Sequence, residues 1–145
     1  MNSELDAEFA FRQSLQVRWG DMDALGHVNN ARFFTYDETL RLDYFAQLTQ
    51  TGGRLGQDFG LILARIECDF KAQLHAPATL EIAYRIRKIG RTSFRTESRM
   101  VQGDTLIAVV QAALVWFDYA ENRAIPVPGP IRDRIMAFER IAPEN

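Results

Sequence analysis

Alternating apolar and polar residues run through most of the chain and predict β-strands that bury one face. The alternation covers residues 14–19, 62–70, 81–87 and 94–100. Residues 106–117 are apolar almost throughout, with only Gln111 interrupting the run. This last segment predicts a central strand buried on both faces.

Short turns that contain glycine separate the strands in the second half of the chain. Gly90 and Gly103 lie in the turns at 89–91 and 102–104, where glycine supplies a positive φ at little cost. Pro77 ends the strand before them, because proline cannot donate to a strand ladder. This half of the chain is therefore predicted to form an antiparallel meander.

One long helix is predicted from about residue 31 to residue 50, where apolar residues recur at steps of three and four. These apolar positions are Phe33, Tyr36, Leu40, Tyr44 and Leu48. Asn29 or Asn30 is the expected N-cap, and Gly52-Gly53 is the expected end of the helix.

Charged residues on this helix predict its solvent side. Asp37 and Glu38 precede Arg41 by four and three residues, so we expect them to pair with it on the exposed face. A second, short helix is expected at 131–140, after a Pro-Gly-Pro sequence. The order of strand, long helix and antiparallel strands indicates an α+β domain. The sheet face of alternating Arg and Glu is expected to be solvated or covered by a second subunit.

Composition narrows the functional class. The chain has 145 residues, 47% hydrophobic and 25% charged, with a net charge of −2, which is typical of one globular domain. A nucleic-acid module would carry a basic excess. The lone Cys68 allows no internal disulfide or thiolate metal cluster, and we expect a buried, inert thiol. With no spanning apolar run and no signal-like start, we expect a single cytoplasmic domain over 1–145 that does not bind membranes.

The segment 17–33 carries the candidate chemistry. A strand ends, Asp21 and Asp23 follow, Gly26 permits a tight turn, and the long helix begins about seven residues after Asp23. A helix N-terminus presents unpaired N–H groups and the positive end of the helix dipole, which can stabilise an oxyanion. A carboxylate facing that point would complete a minimal site for acyl transfer.

The acidic pair also has two simpler interpretations. Aspartate often stabilises a turn by accepting backbone N–H groups, a structural role that either Asp21 or Asp23 could have. An Asp-x-Asp pair after a strand also occurs at magnesium sites. The preceding strand alternates, however, and no series of β-α-β units follows, so we expect no metal.

The same segment resembles the hotdog-fold acyl-CoA thioesterases of the 4-hydroxybenzoyl-CoA thioesterase type. The pattern is Asp-x-Asp-x-x-Gly-His-Val-Asn-Asn-x-x-Phe, followed by Glu38 and Arg41 in the helix, and it is closest to the branch that hydrolyses fatty acyl-CoA. The resemblance extends over 17–118 in the order of elements and is dense in motifs over 19–41. It implies a curled antiparallel sheet wrapped around the long helix, in homodimers joined edge to edge that often form homotetramers.

The resemblance also implies roles for individual residues. Asp23 matches the catalytic carboxylate, either as nucleophile or as the base that activates water. The backbone N–H of Asn30 matches the group that polarises the thioester carbonyl. His27 and Asn29 match positions that orient the site or set its polarity, and Asp21 matches the structural first acid.

A second stretch resembles the turn and strand used against the coenzyme A arm. It implies substrate contacts from Lys88, Arg91, Thr92 and Ser93, with Arg91 as the best candidate for a phosphate contact, since guanidinium binds phosphate bidentately. No cofactor is implied, because coenzyme A is part of the substrate.

The predicted function is hydrolysis of an acyl-CoA thioester. The alternatives are a thioesterase acting on acyl carrier protein, a non-hydrolytic module that binds acyl chains, or an enoyl hydratase on the same fold, because fold does not fix function. His75, at a strand end beside Pro77, is interpreted as an ordinary surface residue.

Overall fold

The computed structural model describes residues 2–49 and 59–145. Its helices are α1 (Asn2–Glu8), α2 (Asn30–Thr49) and α3 (Gly129–Phe138). Its strands are β1 (Phe11–Val17), β2 (Phe59–Phe70), β3 (Ala78–Ile89), β4 (Ser93–Gln102), β5 (Thr105–Asp118) and β6 (Arg123–Ala124). Both predicted helices are present, whereas α1 was not predicted.

The strands form one antiparallel sheet in the order β1-β3-β4-β5-β2, and β6 pairs with β5. Strands β3, β4 and β5 follow one another as long hairpins, which confirms the predicted meander. Strand β2 returns to pair with β5 along almost its whole length. Among the described residues, β1 and β2 are therefore the two edges of the sheet.

Helix α2 lies against the concave face of this sheet and forms the centre of the core. Leu40, Tyr44 and Phe45 of the helix are fully buried, as are Phe94 of β4 and Trp116 of β5. The predicted apolar stripe is thus the face that α2 turns toward the sheet. A curled sheet around one long helix is the α+β hotdog arrangement that the sequence resemblance implies.

The charged residues of α2 correct one prediction. Arg41 pairs with Asp37 at 3.5 Å and with Glu38 at 3.6 Å, but Asp37 and Arg41 are buried instead of solvated. Asp37 accepts a hydrogen bond from the Ser98 hydroxyl of β4 at 2.7 Å. Burial raises the pKa of Asp37 above its usual range, although Ser98 and Arg41 act in the opposite direction. The buried face of α2 is therefore wider than its apolar residues indicate.

The outer face of the sheet is partly covered by the chain's own N-terminal helix. Leu5 and Phe9 pack on Ala83, and the guanidinium of Arg85 lies 4.8 Å from the centre of the Phe9 ring. Glu97, expected on a solvated face, is only 5% exposed and pairs with Arg85 at 2.6 Å. This part of the outer face was expected to be solvated or covered by a second subunit, but it is covered by α1 and the residue that follows it.

Two strand predictions are also corrected. Strand β5 was predicted to be buried on both faces, but it is fully buried only on the face toward α2, and its alternate residues are half-buried. The reason is that α2 covers only one of the two faces of the sheet. Trp19 lies beyond β1, in a short 3₁₀ helix, and is 75% exposed.

The two turn glycines serve different purposes. Gly103 has the expected positive φ of 60°. Gly90 does not, but a Cβ atom added there would lie 2.8 Å from the Ser93 Oγ atom. A side chain at position 90 would therefore have to displace the Ser93 hydroxyl, and the prediction of positive φ at this position is wrong.

The ends of the helices mostly follow their sequence signals. Asn29 caps α2 through its side chain, which accepts the Ala31 N–H at 2.8 Å. The predicted stop at Gly52-Gly53 lies outside the described residues. Helix α3 begins at Gly129, directly after Pro128. Across 2–49 and 59–145, no helix is long and apolar enough to cross a membrane.

Candidate active site

The connection from β1 to α2 forms a tight polar turn around Asp23. The Asp23 N–H donates to the His27 carbonyl at 3.1 Å, and the Gly26 N–H donates to the Asp23 carbonyl at 3.1 Å. Gly26 has a φ of 87°, a conformation in which a side chain would be strained. These bonds fix the backbone on both sides of the carboxylate.

The Asp23 carboxylate accepts one hydrogen bond on each oxygen. The Leu25 N–H donates to Oδ1 at 2.9 Å, and the Asn29 side-chain amide donates to Oδ2 at 3.1 Å. Because each carboxylate oxygen has two lone pairs, both remain able to accept another partner. The side chain is half-buried, so it is oriented by the protein and still open to a ligand.

Asn29 joins this carboxylate to the start of α2. Its carbonyl oxygen accepts the Ala31 N–H while its amide nitrogen donates to Asp23. One side chain therefore caps the helix and orients the acid. Asn30 is the first residue of α2, where the backbone N–H has no partner within the helix.

Asp21 differs from its neighbour in being almost fully buried, at 2% exposure. It accepts hydrogen bonds from the Tyr36 hydroxyl at 2.8 Å and the Arg18 N–H at 3.1 Å. Burial by itself would raise the pKa of Asp21, but the bonds from Tyr36 and Arg18 outweigh burial and lower it. These contacts agree with the structural role predicted for Asp21.

A cavity of about 480 Å³ opens beside Asp23 and the start of α2. Its polar lining comes from Asp23, His27, Asn30, Lys71 and Gln73, and its apolar lining from Leu25, Val28, Phe33, Phe70, Ala72 and Leu74. A second cavity, of about 330 Å³, is lined by Asp23 and Asn29 together with Asp21 and Arg32. Asp23 thus lines two cavities, one of them largely apolar.

Residues 17–135 match the family model of the Thioesterase-like superfamily. The chain belongs to this superfamily. The match includes the Asp23 turn, the whole of the sheet after β1 and most of α3.

Individual relatives agree with this membership in the thioesterase-like superfamily. A thioesterase of Thermus thermophilus, solved with coenzyme A and zinc, is 31% identical, with a TM-score of 0.78 over 91% of this chain and 96% of that one. A 1,4-dihydroxy-2-naphthoyl-CoA thioesterase from Synechocystis is 22% identical, with a TM-score of 0.73 over 86% of this chain and 94% of that one; this likeness shows the fold. The protein YsmA of Bacillus subtilis (strain 168) is 28% identical over 90 residues, which are 62% of this chain and span 60% of that protein's length.

The turn expected to contact coenzyme A lies at the other end of the sheet. Strand β3 begins beside Val17 and has 12 residues, so at about 3.3 Å per residue its ends are roughly 36 Å apart. Arg91, Thr92 and Ser93 follow its far end, while Asp23 lies near its first residue. Within one chain of this thioesterase-like protein, these two sets of predicted residues are not brought together.

Lys88 is also remote from Asp23 and lines a groove of about 290 Å³ on the outer face of the sheet. Arg65, Arg87 and Arg95 line the same groove, with Glu67 and Glu144. The surplus of cations makes the groove suitable for an anionic group.

One contact of the site had no signal in the sequence. His75 Nδ1 lies 2.9 Å from the Gly26 carbonyl oxygen, and its ring centre lies 6.1 Å from that of His27. His75 was expected to be an ordinary surface residue, and it is exposed but engaged. The two partners are 49 residues apart, so no local pattern could connect them.

In the part of the chain that the structure describes, we find no cluster of metal ligands and no reactive thiol. Residues 2–49 and 59–145 contain no group of three or more His, Cys, Asp or Glu side chains arranged to hold a metal ion. Cys68 is half-buried, and burial raises its pKa to about 11. Its thiol is therefore protonated and unreactive near neutral pH.

Proposed function

We propose that this member of the thioesterase-like superfamily hydrolyses the thioester bond of an acyl-CoA, with Asp23 as its catalytic carboxylate. The observation that carries the proposal is the double contact of Asn29, which orients the Asp23 carboxylate and caps the helix that begins with the Asn30 N–H. Asp23 and Asn30 line the same cavity. A thioester carbonyl placed there would have a carboxylate on one side and a helix N-terminus on the other.

The chemistry follows from this placement. Attack on the carbonyl carbon moves an electron pair onto its oxygen, and the Asn30 N–H and the dipole of α2 stabilise that negative charge. Collapse of the intermediate breaks the carbon–sulfur bond and releases the thiolate of coenzyme A, which needs little protonation to leave. Asp23 acts either by attacking directly, forming an anhydride that water then hydrolyses, or by taking a proton from the attacking water. Both routes yield a free acid and coenzyme A.

The acyl group has an apolar space next to this point. Phe33 and Phe70 meet edge to face at 5.2 Å, and Leu74 and Val28 complete the inner wall. Burying apolar surface contributes about 25 cal/mol per Å², so this wall favours an aliphatic or aromatic acyl group over a charged one. His27 lies at the polar side of the cavity, where it sets the polarity of the site.

A homodimer, or a homotetramer built from it, would reconcile the two distant sets of residues. Strand β2 is an edge of the sheet and ends at Phe70, beside the cavity. Two copies paired antiparallel through β2 would set the start of one β2 strand beside the end of the other. This pairing moves the 90–93 turn of the second copy toward the Asp23 end of the first, where Arg91 could reach a phosphate of coenzyme A.

A thiol-release assay over a panel of acyl-CoAs tests the function. The panel should include short, medium and long aliphatic chains and aromatic acyl groups, because the cavity fits either class. Release of free thiol by the wild-type protein supports hydrolysis. Binding of acyl-CoA without thiol release would instead support a binding module, and loss of an enoyl chromophore would support a hydratase. Thiol release from acyl carrier protein but not from coenzyme A would mean that the substrate is carried by acyl carrier protein.

A further inference from the structure

We propose that His75 is a positioning residue that holds the Asp23 turn in its active geometry. The proposal rests on the proposed thioesterase function, because its kinetic consequence requires Asp23 to be catalytic. His75 belongs to the segment 71–77, which connects β2 to β3 and lies across the Asp23 turn. It contacts that turn directly and touches no reacting atom itself.

Three polar contacts join this segment to the turn. The His75 Nδ1–H donates to the Gly26 carbonyl at 2.9 Å, the Val28 N–H donates to the Leu74 carbonyl at 2.8 Å, and the Ala76 N–H approaches the Met22 sulfur at 3.4 Å. Two of the three use backbone groups on the segment, so substitution leaves them in place. On the side of the segment, His75 provides the polar contact that a side-chain replacement can remove.

The contact acts where the turn is most constrained. Gly26 has a φ of 87°, and its N–H donates to the Asp23 carbonyl. The next residue, His27, accepts the Asp23 N–H and packs its ring against that of His75. Releasing the Gly26 carbonyl therefore loosens both backbone bonds that fix Asp23.

The hydrogen bond identifies what the side chain must supply. A carbonyl oxygen can only accept, so Nδ1 carries the hydrogen in either protonation state of the ring. A positioning role needs this one donor and no proton transfer. Asparagine places its amide nitrogen near the position of Nδ1 and cannot titrate, so it separates the positioning role from acid–base chemistry.

The test compares His75→Asn, His75→Phe and His75→Ala with the wild-type protein on its best acyl-CoA. We expect His75→Ala and His75→Phe to lower kcat about three- to tenfold, the effect of one hydrogen bond, with KM within about twofold. The Phe variant keeps an aromatic contact with His27 but has no donor. We expect His75→Asn to restore kcat with an unchanged pH profile, and all three variants to keep the wild-type melting temperature.

Amide hydrogen exchange over 23–28 measures positioning without relying on turnover. We expect faster exchange in the Ala and Phe variants and wild-type exchange in the Asn variant. If no variant changes exchange or kcat, or if Asn fails to rescue both, the positioning role is wrong. If the wild-type protein hydrolyses no acyl-CoA but exchange follows this pattern, the proposed function fails while the contact between His75 and the turn stands.

Discussion

Two carboxylates at opposite ends of the sheet accept nearly the same set of donors in different surroundings. Asp23 takes one bond from a backbone N–H and one from the Asn29 amide. Glu139, at the end of α3, takes one from the Ile86 N–H at 3.3 Å and one from the Tyr44 hydroxyl at 3.1 Å. Asp23 is half-buried and faces a cavity, whereas Glu139 is 7% exposed and enclosed by protein.

The difference lies in what the remaining lone pairs can meet. At Asp23 the carboxylate lines a cavity that a ligand could enter, which suits the catalytic role proposed for it. At Glu139 the remaining lone pairs face protein, and burial raises the pKa of the carboxyl to about 7, despite the opposing bonds from Tyr44 and Ile86. The first arrangement is the one expected of the proposed catalytic carboxylate, and the second joins the end of α3 to β3 and α2. Replacing each group should separate these effects.

The largest effect is expected from Asp23→Asn. This change keeps the size of the side chain but removes the nucleophile or base, so kcat should fall at least about 10²-fold, the lower end of general-base contributions. The free energy of unfolding should change by less than about 1 kcal/mol, because the group is half-buried. Thiol release and urea unfolding of the same samples measure both.

The matched control is Asp43→Asn, an exposed carboxylate on α2, which should change neither quantity. Near-normal turnover by Asp23→Asn on every acyl-CoA would show that Asp23 is not the catalytic carboxylate.

Glu139 should give the opposite outcome, a large effect on stability with little on kcat. Its pKa is 4.5 in the unfolded chain and about 7 in the folded one, so the unfolded state loses its proton first. Stability should therefore decrease as pH rises from about 4.5 to about 7, by an amount on the order of 3 kcal/mol. Urea unfolding from pH 4.5 to pH 8 measures the slope.

The glutamine side chain of Glu139→Gln cannot ionise. The part of the pH dependence of the unfolding free energy that is due to Glu139 should therefore disappear in this variant. Other carboxyls contribute their own slopes, so the quantity to compare is the difference between variant and wild type. A constant difference across this pH range would contradict the interpretation that buried Glu139 titrates near neutrality.

Replacing Asn29 should lower both kcat and the free energy of unfolding, because its side chain caps α2 and also bonds to the Asp23 carboxylate. Asn29→Ala removes both contacts, so we expect a loss of about 1 kcal/mol of stability and a fall in kcat of about tenfold. Asn29→Ser retains a capping oxygen but is too short to hold Asp23. It should keep the wild-type stability and show the same fall in kcat as the Ala variant. Equal kcat in the Ser variant and wild type would mean that the Asp23 contact is unimportant.

The smallest effect is expected at the far turn. Arg91→Ala should raise KM for acyl-CoA by less than about tenfold, the value of a charge-assisted bond at an exposed site, with kcat unchanged. The matched substrate is the same acyl group on pantetheine, which lacks the nucleotide phosphates and should show no change. An equal KM increase on both substrates would argue against a phosphate contact.

Features that depend only on neighbouring residues in the chain could be predicted from the sequence. The alternation along β3, the N-cap at Asn29 and the glycine at position 26 each depend on neighbours within a few positions, and all are present as expected. The motif around Asp23 also indicated the superfamily. Failures began where a residue's neighbours come from other elements, as with Glu97 beneath α1 and with Asp37, whose partner Ser98 is 61 residues away.

The sequence by itself determined the order of elements from β1 to β5, the turn that carries Asp23 and the class of chemistry, because periodicity, capping and turn formation act over short separations. Only the tertiary structure decided that His75 reaches Gly26, 49 residues earlier, and that Glu139 reaches Tyr44, 95 residues earlier. Such contacts depend on strand register and on the cover given by α1 and α3. Alternation along one strand predicts which residues share a face of the sheet, but it does not predict which other element packs against that face.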